Sequence, residues 1–107
     1  MKCNEENINL IFSKMENEGW KIQEPLIWGF FFFSNKKENL HSVFSELEDH
    51  GYIIRSTHKN EDNEWVMQAS KIESLTPDKL HRRNIAFNEL AEVYDSCYDG
   101  WDVGKNA

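Results

Sequence analysis

The side chains here that could carry chemistry are four histidines, two cysteines and a surplus of carboxylates. His41, His50, His58 and His81 form no HExxH pattern, and no two of them stand four residues apart. Zinc sites use such spacings because two imidazoles on one helical face must converge on one ion. The four read as surface side chains, and no metal is expected. Cys97 has no partner motif beside it, and a thiolate nucleophile needs an oriented base. It reads as a small buried hydrophobe at a helix end. Cys3 and Cys97 show no CxxC spacing. One disulfide between the two ends is a formal option, but a reduced pair in a cytosolic protein fits the pattern better.

Gly29 and Gly51 are isolated, so a glycine-rich phosphate loop is missing from the sequence. Glu61, Asp62 and Glu64 lie close together, but a glycosidase-type pair needs two carboxylates held across a cleft. In a loop such acids mainly keep the turn wet. The expectation is a protein that is not an enzyme and holds no cofactor.

The elements that would position these groups follow from periodicity. A first helix is expected from about Glu5 to Glu18, with Asn4 as N-cap and Glu5 and Glu6 at the positive end of the dipole. Ile8, Ile11, Phe12 and Met15 form its apolar stripe, and Gly19 ends it. Pro25 opens a strand, Leu26 to Phe33, in which both alternating sets are apolar. Such a strand is normally central and covered on both faces. Gly29 inside it signals a bulge or a close approach of another chain segment. A second helix is expected from Lys36 to Asp49, with Asn35 and Glu38 at capping-box spacing and Leu40, Val43, Phe44 and Leu47 inward. Gly51 suits the left-handed position that closes it.

Tyr52 to His58 and Trp65 to Ile72 read as a hairpin around the polar stretch Lys59 to Glu64. Thr76-Pro77-Asp78 is a helix start, with an N-cap, a proline at the first helical position and an acid in the first turn. That third helix runs to about Asp95, with Leu80, Phe87, Leu90, Ala91 and Tyr94 inward. The tail, Tyr98 to Val103, pairs as a final strand. After the first helix the order is βαββαβ. The expected fold class is α+β: a ferredoxin-like antiparallel sheet with an additional N-terminal helix, forming one domain over residues 1–107. The second and third helices would cover one face of the sheet. The first helix, or another chain, would cover the other, since a large apolar patch rarely stays exposed.

The chain has 107 residues and a formal net charge of −7, from 19 acidic and 12 basic side chains. Its basic residues gather only as the pairs Lys36-Lys37 and Arg82-Arg83. Direct nucleic-acid binding is therefore disfavoured, and a basic protein surface is the better electrostatic match. Solubility alone also accounts for the charge. The apolar run Leu26 to Phe33 spans eight residues, far short of the ~20 that cross a bilayer. The start, Met1 to Glu6, lacks the apolar core of a signal peptide, so a cytoplasmic location is expected and no membrane partner.

Tyr98-Asp99-Gly100-Trp101-Asp102, following Glu92-Val93-Tyr94, resembles the closing motif of the regulator of ribonuclease E activity B family. Phe30 to Phe33 is similar to that family's aromatic first strand, and Gly51-Tyr52 to the start of its second. Trp65 to Lys71 is similar to its third strand, and Thr76-Pro77 to the start of its last helix. The resemblance runs from about residue 5 to 102. It implies a ferredoxin-like fold and a cytoplasmic protein that binds ribonuclease E and inhibits it by contact. The sequence stops at Ala107 without the long acidic tail of the members for which that role is named, which leaves the target open.

Tyr98, Asp99, Gly100 and Trp101 admit two roles. Asp99-Gly100 is a turn signal and Trp101 can anchor the tail to the sheet, or the motif can contribute to binding. The surface expected to meet a protein partner comprises Tyr52, Glu61, Asp62, Glu64 and Trp65. The aromatic run and Tyr52 and Trp65 also suit a core. The leading function is a non-catalytic regulator acting by protein–protein binding on a ribonuclease or another basic protein. The alternatives are a small-molecule sensor and an immunity-type inhibitor of a bacterial toxin. Self-association through the open sheet face is a further option.

Overall fold

The computed structural model describes residues 5–105. The expected cap Asn4 and the residue Cys3 lie outside them, and so do the side chains of Glu5 and Glu6. Three helices and four strands follow in the order α1 (Glu5–Asn17), β1 (Leu26–Ser34), α2 (Lys37–Glu48), β2 (Ile53–Lys59), β3 (Trp65–Glu73), α3 (Pro77–Val93) and β4 (Cys97–Gly104). The strands form one antiparallel sheet in the order β2-β3-β1-β4. The most apolar strand is thus central, paired along its whole length with β3.

Even-numbered residues of β1 face the helices: Trp28, Phe30 and Phe32 are completely buried. Ile27, Phe31 and Phe33 point to the other face and are only half-buried. Coverage on both faces, expected from the two apolar sets, is not what forms. α1 explains why. It packs against α3 in the same layer, where Phe12 stacks on Trp28 with centroids 5.8 Å apart and planes 20° from parallel. Ile8, Phe12 and Met15 are buried there and join the one core cluster. The sequence leads one to expect this helix over the open face; instead its stripe extends the covered one, where Phe12 meets the flat face of Trp28.

Phe87 of α3 is the hub of the core. Its ring meets Phe30 edge-on at 4.9 Å and lies 5.5 to 5.8 Å from Phe32, Tyr98 and Tyr52. Edge-to-face packing of this kind adds directional preference to burial. Thr76 caps α3 as its sequence requires, accepting from the Lys79 amide at 3.2 Å. α2 starts differently from expectation. Lys36 is the N-cap position and makes no side-chain cap, so the Asn35–Glu38 capping box does not form. Ser34 Oγ takes its place, accepting from the Lys36 amide at 3.3 Å and from Asn39 Nδ2 at 3.1 Å. Gly51 closes α2 at φ +88° and donates its amide to the Glu48 carbonyl, a backbone shape that costs a Cβ-bearing residue strain.

Candidate protein-binding surfaces

The closing motif is built mainly into the fold. Tyr98 is buried, with its ring 5.3 Å from Phe32 and its hydroxyl donating to Asn84 Oδ1. Trp101 is half-buried, its ring centroid 5.7 Å from Trp28. Trp28 is in turn fixed by an indole N–H to the Glu73 carbonyl at 2.9 Å. Gly100 is buried at φ +124°, beside the register shift where β4 crosses Phe31 and Phe32. Asp99 is exposed, and so is Cys97. The expectation of a buried Cys97 fails because the side chains alternate along β4: Tyr98 takes the inward place and Cys97 the outward one.

The hairpin gathers the expected partner-facing residues only in part. Asn60 organises the turn, its Oδ1 accepting from the amides of Asp62 and Glu64 at 2.9 Å each. Asn63 takes the left-handed position at φ +69°, a conformation asparagine tolerates better than most residues. Glu61 and Asp62 are exposed, and Glu64 is half-buried with its carboxylate accepting from Asn60 Nδ2 at 3.5 Å. Trp65 sits half-buried at the root, with Lys37 Nζ 4.9 Å and Lys59 Nζ 5.7 Å from its ring. The tip is acidic and the root carries cations on an aromatic ring.

Tyr52 does not belong to that surface. It is buried under α3, where its hydroxyl meets Arg83, which also pairs with Glu73 through two contacts of 2.6 and 3.1 Å. Burial pushes the Tyr52 phenol up to about 12 against the lowering effect of Arg83. Burial also opposes the Arg83 charge, yet the Glu73 hydrogen bond and the neighbouring charges leave its pKa raised.

The second surface is the uncovered sheet face. Ladder partners share a face, so the register assigns Ile27, Gly29, Phe31 and Phe33 of β1 together with Val66, Gln68, Ser70 and Ile72 of β3. Ile53, Ser56 and His58 of β2 join them on one side, and Cys97, Gly100, Asp102 and Gly104 of β4 on the other. Arg55 stands at the β2 register shift and lines the same hollow as Gly29, Gln68, Ser70 and Asp102. Gly29 is what lets side chains cross the middle of the sheet. A Cβ there would run into Asp102 Oδ1 and Gln68 Nε2, which reach toward each other over the glycine to 3.5 Å.

Sequence reasoning misses this polar bridge, although Gly29 marks a close approach. It also misses Asn84, a buried amide at an inward position of α3 between Leu80 and Phe87. A polar residue on an apolar stripe is the signal that a buried hydrogen bond is being made. Among the described residues, no three His, Cys, Asp or Glu side chains gather as a metal site, and no helix is long and apolar enough to cross a membrane.

One helical layer on a one-sided antiparallel sheet, with its surface features in a hairpin and a bare face, defines a two-layer α+β protein. The chain belongs to the family described as regulator of ribonuclease activity B, which matches residues 5–103. That is a family of regulators rather than of catalysts. Among curated proteins, none matches the sequence.

Proposed function

We propose that this chain is a non-catalytic regulator that acts by binding another protein, with a ribonuclease as its target. The observation that carries the reading is the family match across residues 5–103. The domain is read as a ferredoxin-like plait over residues 1–107 with an added N-terminal helix, working in the cytoplasm. Its βαββαβ order after α1 and the central place of β1 support that assignment.

The hairpin tip is the surface assigned to a basic partner. Glu61 and Asp62 are exposed on a turn that Asn60 holds in shape, and the half-buried Glu64 beside them accepts from Asn60 Nδ2 at 3.5 Å. A pre-shaped acidic tip attracts cationic surfaces before contact and so acts on the rate of association. Trp65 contributes from the root through its half-exposed ring; Tyr52, being buried, contributes only to the fold.

The test measures binding of the purified protein to ribonuclease E, and RNA cleavage by the enzyme with and without it. Saturable binding that slows cleavage supports the reading. No binding at high micromolar concentrations, in a preparation whose fold is intact by circular dichroism, sinks ribonuclease E as the target. Tight retention of a small metabolite in place of any protein partner would favour a sensor.

A further inference from the structure

The bare sheet face differs in character from the rest of the molecule. The chain as a whole carries a net charge of −7. Over the hollow around Gly29 this face carries Arg55 at the β2 side and Asp102 at the β4 side, one side chain of each sign, while Asp99 is exposed at the β4 register shift. Among the described residues the Arg55 side chain makes no hydrogen bond or ion pair. Between the two edges lie Ile27, Phe31, Phe33 and Val66, all half-buried, while Ile72 is 55% exposed and Ile53 58%. A strongly basic partner would meet Arg55 as well as Asp102 and gain little from the hollow. A partner carrying the same arrangement gains a great deal.

We propose that this face binds the same face of a second copy of the chain, around a two-fold axis that runs along the strands between β1 and β3. Such an axis lays β3 of one copy over β1 of the other, and β2 over β4. Ile72 then meets Ile27 of the second copy, and Val66 meets its Phe33, because each pair shares a level in the ladder. Arg55 and Asp102 lie at neighbouring levels: Ile53, Ser70, Gly29 and Asp102 form one row, and Arg55 follows Ile53 by two residues. The long Arg55 side chain spans that offset, so each Arg55 reaches the Asp102 of the other copy, and the two-fold axis makes the ion pair twice. Interfaces of this isologous kind need a patch complementary to itself, and aligned sheets pack about 10 Å apart with their side chains between.

The size of the face sets the strength. Strands of 7 to 9 residues, rising about 3.3 Å per residue and spaced about 4.8 Å apart, span roughly 500 Å² in projection. That lies at the low end for a specific interface, so the dimer forms with a dissociation constant on the order of micromolar. This pairing is independent of the hairpin tip, and the two readings fail separately.

Sedimentation velocity between about 1 and 500 µM tests it. The mass should move from 12.7 kDa toward twice that value as concentration rises. Arg55→Glu and Asp102→Arg should each weaken the dimer tenfold or more, since each places like charges opposite one another twice. Mixing the two variants should restore it. In the mixed dimer one ion pair keeps its native charges and the other has them exchanged, so both attract. Recovery in the mixture also shows that both variants are folded. A wild type that stays monomeric throughout overturns the proposal, and so does a dimer that neither substitution weakens or that the mixture fails to restore.

Discussion

The phenol of Tyr98 on β4 donates a hydrogen bond to the side-chain oxygen of Asn84 on α3, inside the core. Asn84 is 3% exposed and Tyr98 is also 3% exposed, so neither has water to fall back on. One polar contact thus fastens the last strand to the last helix, and the family motif and the inward amide are two halves of one device.

Tyr98→Phe should destabilise the protein by about 1–3 kcal/mol, because it leaves the Asn84 amide oxygen buried without its donor. Urea denaturation of the variant against wild type measures it. A change under a few tenths of a kcal/mol would mean that Asn84 finds another partner at no cost.

Trp101 packs against Trp28 but remains half-exposed. Trp101→Ala should therefore cost about 1–2 kcal/mol, less than the roughly 3–5 typical of a fully buried aromatic. The same denaturation experiment reads the difference, and a loss above about 4 kcal/mol would show β4 detaching as a unit.

Tyr52 links stability to pH. Its phenol titrates near 12, against an ordinary value of 10.0, so the folded state holds the proton more tightly than the unfolded chain does. The resulting stabilisation is whole below pH 10 and is lost as the pH rises toward 12. Stability should fall more steeply across that window in wild type than in Tyr52→Phe, as followed by urea midpoints at successive pH values. Equal slopes would count against a strongly buried phenol.

Two glycines should respond differently to alanine. Gly51→Ala forces a Cβ into the left-handed region and should cost about 1 kcal/mol. Gly29→Ala meets only the ends of two flexible side chains, which can swing aside. Its stability should stay within about 1 kcal/mol of wild type, while Gln68 and Asp102 part. Nuclear magnetic resonance of the Gln68 side-chain amide would report that separation.

The acidic tip should act on kinetics. Changing Glu61, Asp62 and Glu64 together to glutamine should lower the association rate with a basic partner at low salt and change dissociation much less. Raising the salt should bring wild type and variant together. Equal association rates at low salt would remove the hairpin from recognition.

Much of the architecture is legible in the sequence because each element carries its own signal. Thr76-Pro77, the stripe of α2, Gly51 and the apolar β1 all depend on neighbours within a few residues. The uncovered face is harder to read, since Ile27, Phe31 and Phe33 look like core residues until one knows where α1 docks. That choice depends on Trp28 meeting Phe12, two residues whose contact no local pattern encodes. Tyr52 is misplaced by sequence reasoning for a related reason: its position beside the hairpin says nothing about Arg83 and Phe87, which close over it from α3. Asn84 and Asp102 each depend on a partner from another element, and a single sequence does not display such pairs.

Both outer strands of the sheet carry a break in register, β2 between Ile54 and Ser56 and β4 opposite Phe31 and Phe32. An unbroken edge with Ile53 and Ile54 as exposed as they are here would invite a further strand, and then another, toward a growing fibre. A bulge bends the strand and offsets its free N–H and C=O groups, so an incoming strand cannot bond along the full edge. The irregularities thus protect the chain from open-ended polymerisation, and leave it free to keep an apolar face without aggregating through its margins.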